Sequence, residues 1–278
     1  HVSGEFVIHD LKWMSGGGSK LQLTFTLEWS NPQASEHRAR TPLVLRMEPQ
    51  ESLSATSRTR ERQLIDAMSS LLPVPKVYWV DAAGTWFPEP TLIYSFAHGV
   101  TKPTASEGRV SGVGSKFGPE LRQTLGRQFV EHLARIHTCD PLKHDFSAFD
   151  MPQVGSTETA LWQLNRAHRI WEEDRCEEMP LMAVAAHWLE QHLPTLDRVS
   201  VLHGDYRAGN FLFDESTQQI TAWLDWERGY LGDRHRDLAW ITLPLFGNYD
   251  TDGKTLLVSG LVPLEQFYEQ YQKISGLQ

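Results

Sequence analysis

The segment V-L-H-G-D-Y-R-A-G-N-F-L-F-D, residues 201–214, is followed after a short interval by L-D-W-E, residues 224–227. The two segments bring an aspartate (Asp205), an asparagine (Asn210) and a second aspartate (Asp225) into one predicted strand-loop-strand unit. Phosphoryl transfer from ATP uses such a set. One carboxylate accepts the proton of the attacking hydroxyl, while an amide and a second carboxylate hold Mg²⁺ on the phosphates. We therefore expect Asp205 to be the catalytic base and Asn210 and Asp225 to be metal ligands.

Protein kinases use the same three groups, which lie in the motifs H-R-D-x-x-x-x-N and D-F-G. In this chain Gly204 replaces the Arg, and Trp226-Glu227 replaces Phe-Gly. That variant resembles the aminoglycoside phosphotransferase family of small-molecule kinases. Further matching motifs are V-L-R at 44–46 and L-G-D-x-x-x-D-L-A-W at 231–240. Their combination looks most like the branch related to kinase domains fused to acyl-CoA dehydrogenases.

The resemblance implies an α+β, bilobal protein-kinase-like fold with ATP between the lobes. Residues 1–97 would form a small antiparallel-sheet N-lobe that binds the nucleotide, and residues 98–278 a larger, mainly helical C-lobe. It places the adenine-binding hinge at residues 94–97, with Ser95 and Ala97 as candidate nucleotide contacts through their backbone groups. The branch also implies a hydroxylated small-molecule acceptor, with hydroxyacyl compounds among the candidates, rather than an antibiotic.

Hydrophobic periodicity supports this organisation. Period-two alternation predicts a strand at 21–29, and further strands are expected at 41–47, 77–80 and 91–97. A helix is expected at 58–72, ended by Pro73 and Pro75. After residue 98, apolar residues at every fourth position up to His137 predict an amphipathic helix. More helices are expected at 157–175, 180–192, 234–246 and 263–274.

Two features of the N-terminal part are candidates for phosphate binding. The first is the glycine-rich turn before the strand at 21–29, because glycines let backbone amides approach phosphates closely. A plain hairpin turn is the alternative. The second is Arg46, which occupies the place of the phosphate-binding strand lysine, with Glu61 as its acidic partner on the following helix. A planar guanidinium replaces a point charge there. The residues of the first feature are Gly16, Gly17, Gly18 and Ser19.

Several residues near the motif admit two interpretations. Arg207 could stabilise charge on the transferred phosphoryl group, or it could pair with a nearby acid. His203 and Asp237 are expected to brace the catalytic loop, and His137 to be a core residue. Three tryptophans in the helical region could line the acceptor pocket, although core packing is the favoured prediction for each: Trp162, Trp171 and Trp188. The acidic run at 172–178 is expected to be a solvated face.

Composition narrows the function classes. The chain has 278 residues, 40% hydrophobic and 22% charged, with a net charge of −9. That negative charge disfavours nucleic-acid binding, which depends on Lys and Arg. We expect a cytoplasmic monomer or homodimer without a membrane span or signal peptide. The two cysteines, Cys139 and Cys176, are expected to be reduced and buried.

Two other functions are compatible with some of these residues. A catalytically weak pseudokinase or nucleotide-binding module is suggested by Arg46 and by the Trp-Glu after Asp225. A metal-dependent hydrolase could use His203, Asp205 and Asp225, but Asn210 and the glycine-rich turn argue against it. The leading prediction remains a phosphotransferase that uses ATP and Mg²⁺ and acts on an alcohol group.

Overall fold

The computed structural model describes residues 5–14, 20–30, 39–49, 56–104 and 116–277. Its N-terminal part is a five-stranded antiparallel sheet with the strand order β1-β2-β3-β5-β4. A single helix, α1, lies between β3 and β4 in the chain. The elements are β1 (Val7–Trp13), β2 (Leu21–Trp29), β3 (Ala39–Met47), α1 (Arg58–Met68), β4 (Val77–Asp81) and β5 (Thr91–Ser95).

The C-terminal part is mainly helical, with short antiparallel strand pairs around the predicted motif. Its helices are α2 (Pro119–Thr138), α3 (Glu158–Asp174), α4 (Pro180–Gln191), α5 (His235–Ile241) and α6 (Leu264–Ser275). Its strands are β6 (Ser200–Leu202), β7 (Phe211–Asp214), β8 (Gln219–Trp223), β9 (Tyr230–Gly232), β10 (Asn248–Tyr249), β11 (Leu256–Val258) and β12 (Val262–Pro263). This is the expected bilobal α+β architecture. The exact lobe boundary near residue 97 stays a prediction.

Several boundaries differ from the sequence-based expectation. Strand β1, at the sheet edge, was not predicted, because most of its side chains are exposed and it lacks a buried apolar face. Helix α1 ends at Met68 rather than residue 72, and β5 ends at Ser95 rather than residue 97. The helix expected at 234–246 splits into α5 and a 3-10 turn that starts at Pro244. Proline lacks the amide hydrogen that would continue the helix.

One large hydrophobic core joins the two parts of the molecule. It includes Leu64 and Met68 of α1, Phe129 and Leu133 of α2, and Trp223 of β8, all buried. Each of the predicted apolar faces of α1 and α2 therefore packs inward, as the periodicity indicated. A second, smaller cluster covers the other face of the sheet: Leu27, Trp29, Leu43, Leu45 and Ile93.

Helices α3 and α4 pack differently. Only Thr159 is buried on α3, and no side chain of α4 is buried among the described residues. The favoured prediction that Trp162 and Trp188 pack in the core is wrong, because they are 38% and 57% exposed. The cysteine expectation is half right, since Cys139 is buried and Cys176 is exposed. The helix pair is thus an outer layer that covers little of the core.

Within the described residues, no helix combines the length and hydrophobicity that crossing a bilayer would require.

Candidate active site

The loop that carries Asp205 begins where strand β6 ends and is shaped by a close backbone approach. Strand β6 pairs antiparallel with β9, with Leu202 opposite Tyr230. Gly204 follows with φ of 80°, a conformation that side-chain-bearing residues rarely adopt. A Cβ placed there would lie 2.2 Å from the carbonyl oxygen of Arg228. Glycine at this position therefore lets the loop press against the residues that follow Asp225.

Asp237, at the start of α5, holds this loop from behind, as predicted. Its carboxylate accepts hydrogen bonds from the backbone N–H groups of His203 (2.8 Å) and Gly204 (3.0 Å). His137 lies against the same carboxylate, with its Nε2 3.5 Å away, while its Nδ1 lies 2.8 Å from the hydroxyl of Tyr271. Burial acts to raise the pKa of Asp237, but the hydrogen bonds and the nearby imidazoles outweigh it, so the pKa lies below its usual value. Asp237 is a buried anion that orders the loop.

His203 braces the loop from its other side and is not placed to act as a base. Its Nε2 lies 3.0 Å from the carbonyl oxygen of Leu224, and its Nδ1 accepts the backbone N–H of Asp205 at 3.3 Å. Complete burial lowers the pKa of His203, in spite of the neighbouring aspartates. The side chain therefore ties the segment before Asp225 to the segment that carries Asp205.

The carboxylate of Asp205 is held by three side chains. Its Oδ1 accepts hydrogen bonds from Trp240 Nε1 at 2.8 Å and from Arg207 Nε at 3.1 Å. Its Oδ2 accepts one from Asn210 Nδ2 at 2.8 Å. Since each carboxylate oxygen can accept two hydrogen bonds, the described residues leave one acceptor position on Oδ2. Trp240 was not predicted as a site residue, although it ends the D-L-A-W motif.

Asn210 and Asp225 lie on neighbouring segments. The backbone N–H of Leu224, which precedes Asp225, donates to the carbonyl oxygen of Asn210 at 2.8 Å. The amide nitrogen of Asn210 is used by Asp205, which leaves its side-chain oxygen for another partner. Asp225 has φ of 66° and keeps a side chain that is 33% exposed. The side-chain oxygen of Asn210 and the carboxylate of Asp225 therefore lie on segments next to Asp205.

Arg46 connects the sheet to this site. Its guanidinium donates to Glu61 Oε1 at 3.1 Å, to Asp225 Oδ1 at 2.5 Å and to Glu227 Oε2 at 2.9 Å. The predicted Arg46–Glu61 pair is thus present, and Glu61 is buried rather than solvated. Burial raises the pKa of Glu61, although both nearby arginines oppose that shift. Burial also acts to raise the pKa of Asp225, but the charge and hydrogen bond of Arg46 keep it below its usual value.

Sequence reasoning missed the rest of this buried ion network. Arg58, at the start of α1, contacts Glu48, Glu61 and Glu227, and its side chain has no exposed surface. Lys20, just before β2, contacts Glu48 and lies 3.4 Å from Glu227. The one signal in the sequence was Glu227 of the L-D-W-E motif, whose carboxylate contacts Lys20, Arg46 and Arg58. These pairs join β2, β3 and α1 to the segment of Asp225.

The predicted nucleotide contacts outside this ion network are the glycine-rich turn, Ser95 and Ala97. The residues Gly16, Gly17, Gly18 and Ser19 lie outside the described residues. Ser95 ends β5, where its backbone N–H donates to the carbonyl oxygen of Lys76 at 2.8 Å. That donor is therefore already used, and only the carbonyl of Ser95 could contact a nucleotide. Ala97 follows β5, two residues after Ser95, and its role as a hinge contact stays a prediction.

A profile of the phosphotransferase enzyme family matches residues 24–261. The chain therefore belongs to this family. Among curated relatives, it is 26% identical to mouse acyl-CoA dehydrogenase family member 10 over 90% of this chain and 23% of that protein. It is 31% identical to a probable ketoamine kinase of Lactiplantibacillus plantarum over 56% of this chain and 52% of that protein. The chain thus spans about a quarter of the mouse relative's length.

Solved structures share the fold. A putative aminoglycoside phosphotransferase from Ralstonia eutropha superposes with a TM-score of 0.67 at 21% identity, over 99% of this chain and 77% of that one. Aminoglycoside phosphotransferase APH(4)-Ia, in complex with ADP and hygromycin B, superposes with a TM-score of 0.58 at 16% identity, over 97% and 81%. The kinase-like, bilobal α+β fold expected from the motifs is confirmed.

Proposed function

We propose that the protein is a phosphotransferase that moves the γ-phosphate of ATP to a hydroxyl group of a small molecule. The observation that carries this proposal is the geometry of Asp205, whose Oδ1 is occupied while Oδ2 keeps one acceptor position. A hydroxyl that donates to this position would be oriented for in-line attack on the γ-phosphorus. Its proton would pass to Oδ2 as the new P–O bond forms, and the bond from the γ-phosphorus to the bridging oxygen would break to release ADP. Family membership and the ADP, AMP-PNP and GDP bound in related structures support nucleotide use.

The donor set beside the base fits Mg²⁺. This ion takes few protein oxygens and keeps waters and substrate phosphates as its other ligands. The side-chain oxygen of Asn210 and the carboxylate of Asp225 would hold it, and it would neutralise charge on the phosphates. Because Arg46 donates to Asp225 in this structure, nucleotide and metal must share that carboxylate with Arg46 or displace the guanidinium.

Arg46 and Arg207 are the cations available for the phosphates. Arg46 reaches the same carboxylate that would hold the metal, so we assign it to the nucleotide phosphates. Arg207 donates to Asp205 and lies with its guanidinium carbon 5.8 Å from the centre of the Phe246 ring. Its contact with the base makes orientation of Asp205 its first role. Stabilisation of the transferred phosphoryl group is a second role for the same charge.

The acceptor is a hydroxylated small molecule. The curated relatives include acyl-CoA dehydrogenase family members and a probable ketoamine kinase, which supports a metabolite rather than an antibiotic. A pseudokinase is the competing proposal, and it is favoured by one observation: Arg46 already occupies Asp225. The two proposals differ in whether ADP is released from ATP in the presence of an acceptor.

The test of the base is the variant Asp205→Ala. We expect it to bind Mg-ATP with nearly unchanged affinity, because Asp205 does not contact the nucleotide in this proposal. Transfer should fall by ~10²-fold or more, since the hydroxyl loses its orienting partner. Calorimetric titration of ATP with and without Mg²⁺ gives the first quantity, and ADP release with hydroxylated acceptors gives the second. Activity retained in the variant would disprove the assignment.

The test of the metal ligand is Asp225→Asn, which keeps the size of the side chain but removes its charge. We expect the Mg²⁺-dependent part of ATP binding to weaken by at least about tenfold, because a charged ligand contributes more than a neutral one. Titration in the absence of Mg²⁺ is the internal control. Equal loss of affinity with and without the metal would show that Asp225 acts through Arg46 instead of through the ion.

A further inference from the structure

A cavity of about 410 Å³ lies between α3, the C-terminal end of α4 and the segments that flank β9 and begin α5. Its walls are largely apolar, with Leu164 and Ile170 from α3 and Leu189 from α4. Three arginines enter it from different elements: Arg166, Arg228 and Arg236. An apolar cavity with a few convergent charged groups is the usual form of a small-molecule site.

The three arginines have no acidic partners within the described part of the chain. None of them forms an ion pair with a described carboxylate, and all three are half-buried. Burial lowers the pKa of Arg166, and the charges of Arg228 and Arg236 lower it further. Three neighbouring positive charges destabilise one another unless an anion joins them. This arrangement is unusual in a chain with a net charge of −9.

The cavity is connected to the predicted base by one side chain. The guanidinium carbons of Arg236 and Arg228 lie 4.7 Å and 5.7 Å from the ring centre of Trp240. Trp240 in turn donates to Asp205 Oδ1 at 2.8 Å. Arg236 also lies 3.4 Å, through Nη1, from the carbonyl oxygen of Gly204. Arg228 and Arg236 are therefore separated from Asp205 by a single side chain, that of Trp240.

We propose that Arg166, Arg228 and Arg236 form an anion subsite that binds a carboxylate or phosphate group of the acceptor. The apolar body of the acceptor lies against α3 and α4, and its hydroxyl reaches Asp205. Guanidinium groups suit this task because their planar donors pair with carboxylate and phosphate oxygens. The subsite repels polycations, so the acceptor is an anionic, partly apolar hydroxy compound. This inference rests on the proposed phosphotransferase function and names its substrate class.

The experiment measures binding without turnover. β-Hydroxydecanoate and its neutral primary amide are titrated into the full chain in the presence of Mg²⁺ and a non-hydrolysable ATP analogue. We expect the acid to bind at least about tenfold more tightly than the amide, since a charge-assisted pair to a half-buried guanidinium is lost in the amide. α-Glycerophosphate, titrated in parallel, separates a phosphate group from a carboxylate as the preferred anion.

The matched variants are Arg166→Gln and Arg169→Gln. Arg169 lies on the same helix, 66% exposed, with its Nε 3.8 Å from Glu173, so its loss is the control for charge on α3. We expect Arg166→Gln to abolish the preference for the acid, and Arg169→Gln to keep it. Since Arg166 is repelled by its neighbours, Arg166→Gln should unfold at the same or a higher temperature, which excludes misfolding as the cause.

Two results would overturn the subsite. One is equal affinity for the acid and the amide together with no binding of α-glycerophosphate, measured with protein that binds the ATP analogue. The other is a preference that persists in Arg166→Gln. A failure of the proposed function gives a different result. Either the ATP analogue would not bind, or the protein would release no ADP from ATP with any acceptor. The preference for the acid over the amide would still be measured in both cases.

Discussion

The segment around Asp205 and the helix pair α3–α4 both contain aromatic and aliphatic residues but are packed in opposite ways. Residues 200–206 are all buried, and the rings of Tyr206 and Trp223 stack with their centres 4.0 Å apart. No residue of α4 is buried, and Leu181 is 72% exposed. The first region holds the proposed base, whose role would make a displacement of 1 Å costly. The second forms one wall of the cavity proposed above for the acceptor, where a change of surface would suit a different molecule.

The packing around the catalytic segment also explains how buried charges are tolerated there. Asp205, Asp237 and Glu61 each have at least two partners, and burial lowers the pKa of His203. A buried charge without such partners would cost several kcal/mol. On α3, apart from the half-buried Arg166, and on α4 the charged side chains are exposed, and their pairs, such as Arg169 with Glu173, contribute at most about 1 kcal/mol.

The largest effect on stability is expected from Phe129→Ala. Phe129 is completely buried, and its ring centre lies 4.7 Å from that of Tyr206 and 5.9 Å from that of Trp223. Removing it creates a cavity below the catalytic loop, so the free energy of unfolding should fall by about 3–5 kcal/mol. Urea denaturation measures this quantity. A loss below about 1 kcal/mol would contradict the claim that the loop rests on a tightly packed core.

The second expected effect is on how the free energy of unfolding depends on pH. Burial lowers the pKa of His132 to about 4, whereas in the unfolded chain it is about 6.5. Between these values the unfolded state binds a proton that the folded state does not, so stability rises with pH and is lost on acidification. His132→Gln keeps an acceptor for Trp223 Nε1, which lies 2.9 Å from His132 Nδ1, and removes the titration.

We therefore expect the stability of His132→Gln to fall less steeply between pH 6.5 and pH 4, by up to about 1.4 kcal/mol per pH unit. Denaturation curves at several pH values measure the slope for both proteins. Identical slopes would mean that His132 takes up its proton in the folded state, and that this side of the core is more open than the structure indicates.

The smallest effect is expected from Trp188→Ala. Trp188 is 57% exposed and, among the described residues, stacks on His192, with ring centres 4.2 Å apart. Its loss should change the free energy of unfolding by no more than about 0.5 kcal/mol, as for other surface substitutions. Comparing Trp188→Ala with Phe129→Ala therefore tests the difference in packing between α4 and the core next to the Asp205 segment. A destabilisation close to that of Phe129→Ala would show that α4 is covered in solution.

The candidate site residues could be proposed from the sequence, but most of their contacts could not be predicted from it. Asp205, Asn210 and Asp225 could be selected because phosphoryl transfer needs those groups at that spacing. The Arg46–Glu61 pair was expected from the resemblance to kinases, in which a strand lysine pairs with a glutamate on the following helix. Lys20, Arg58 and Trp240 could not be selected, since they come from distant parts of the chain and carry no local pattern. The exposure of Trp188 was mispredicted because helical periodicity cannot tell which neighbour covers a face.

Periodicity and turn residues, which are local properties, determined from the sequence alone the main helices and four strands of the N-terminal sheet. The spacing of a few polar groups selected the candidate base and metal ligands, and the motif resemblance indicated the α+β class. The tertiary structure decided which charges meet. Arg46 contacts Asp225, which is 179 residues further along the chain, and Arg166 meets Arg228 and Arg236 only because α3 folds back beside β9 and α5. Coulomb interactions depend on distance in space and on burial, and neither can be read from separation along the chain.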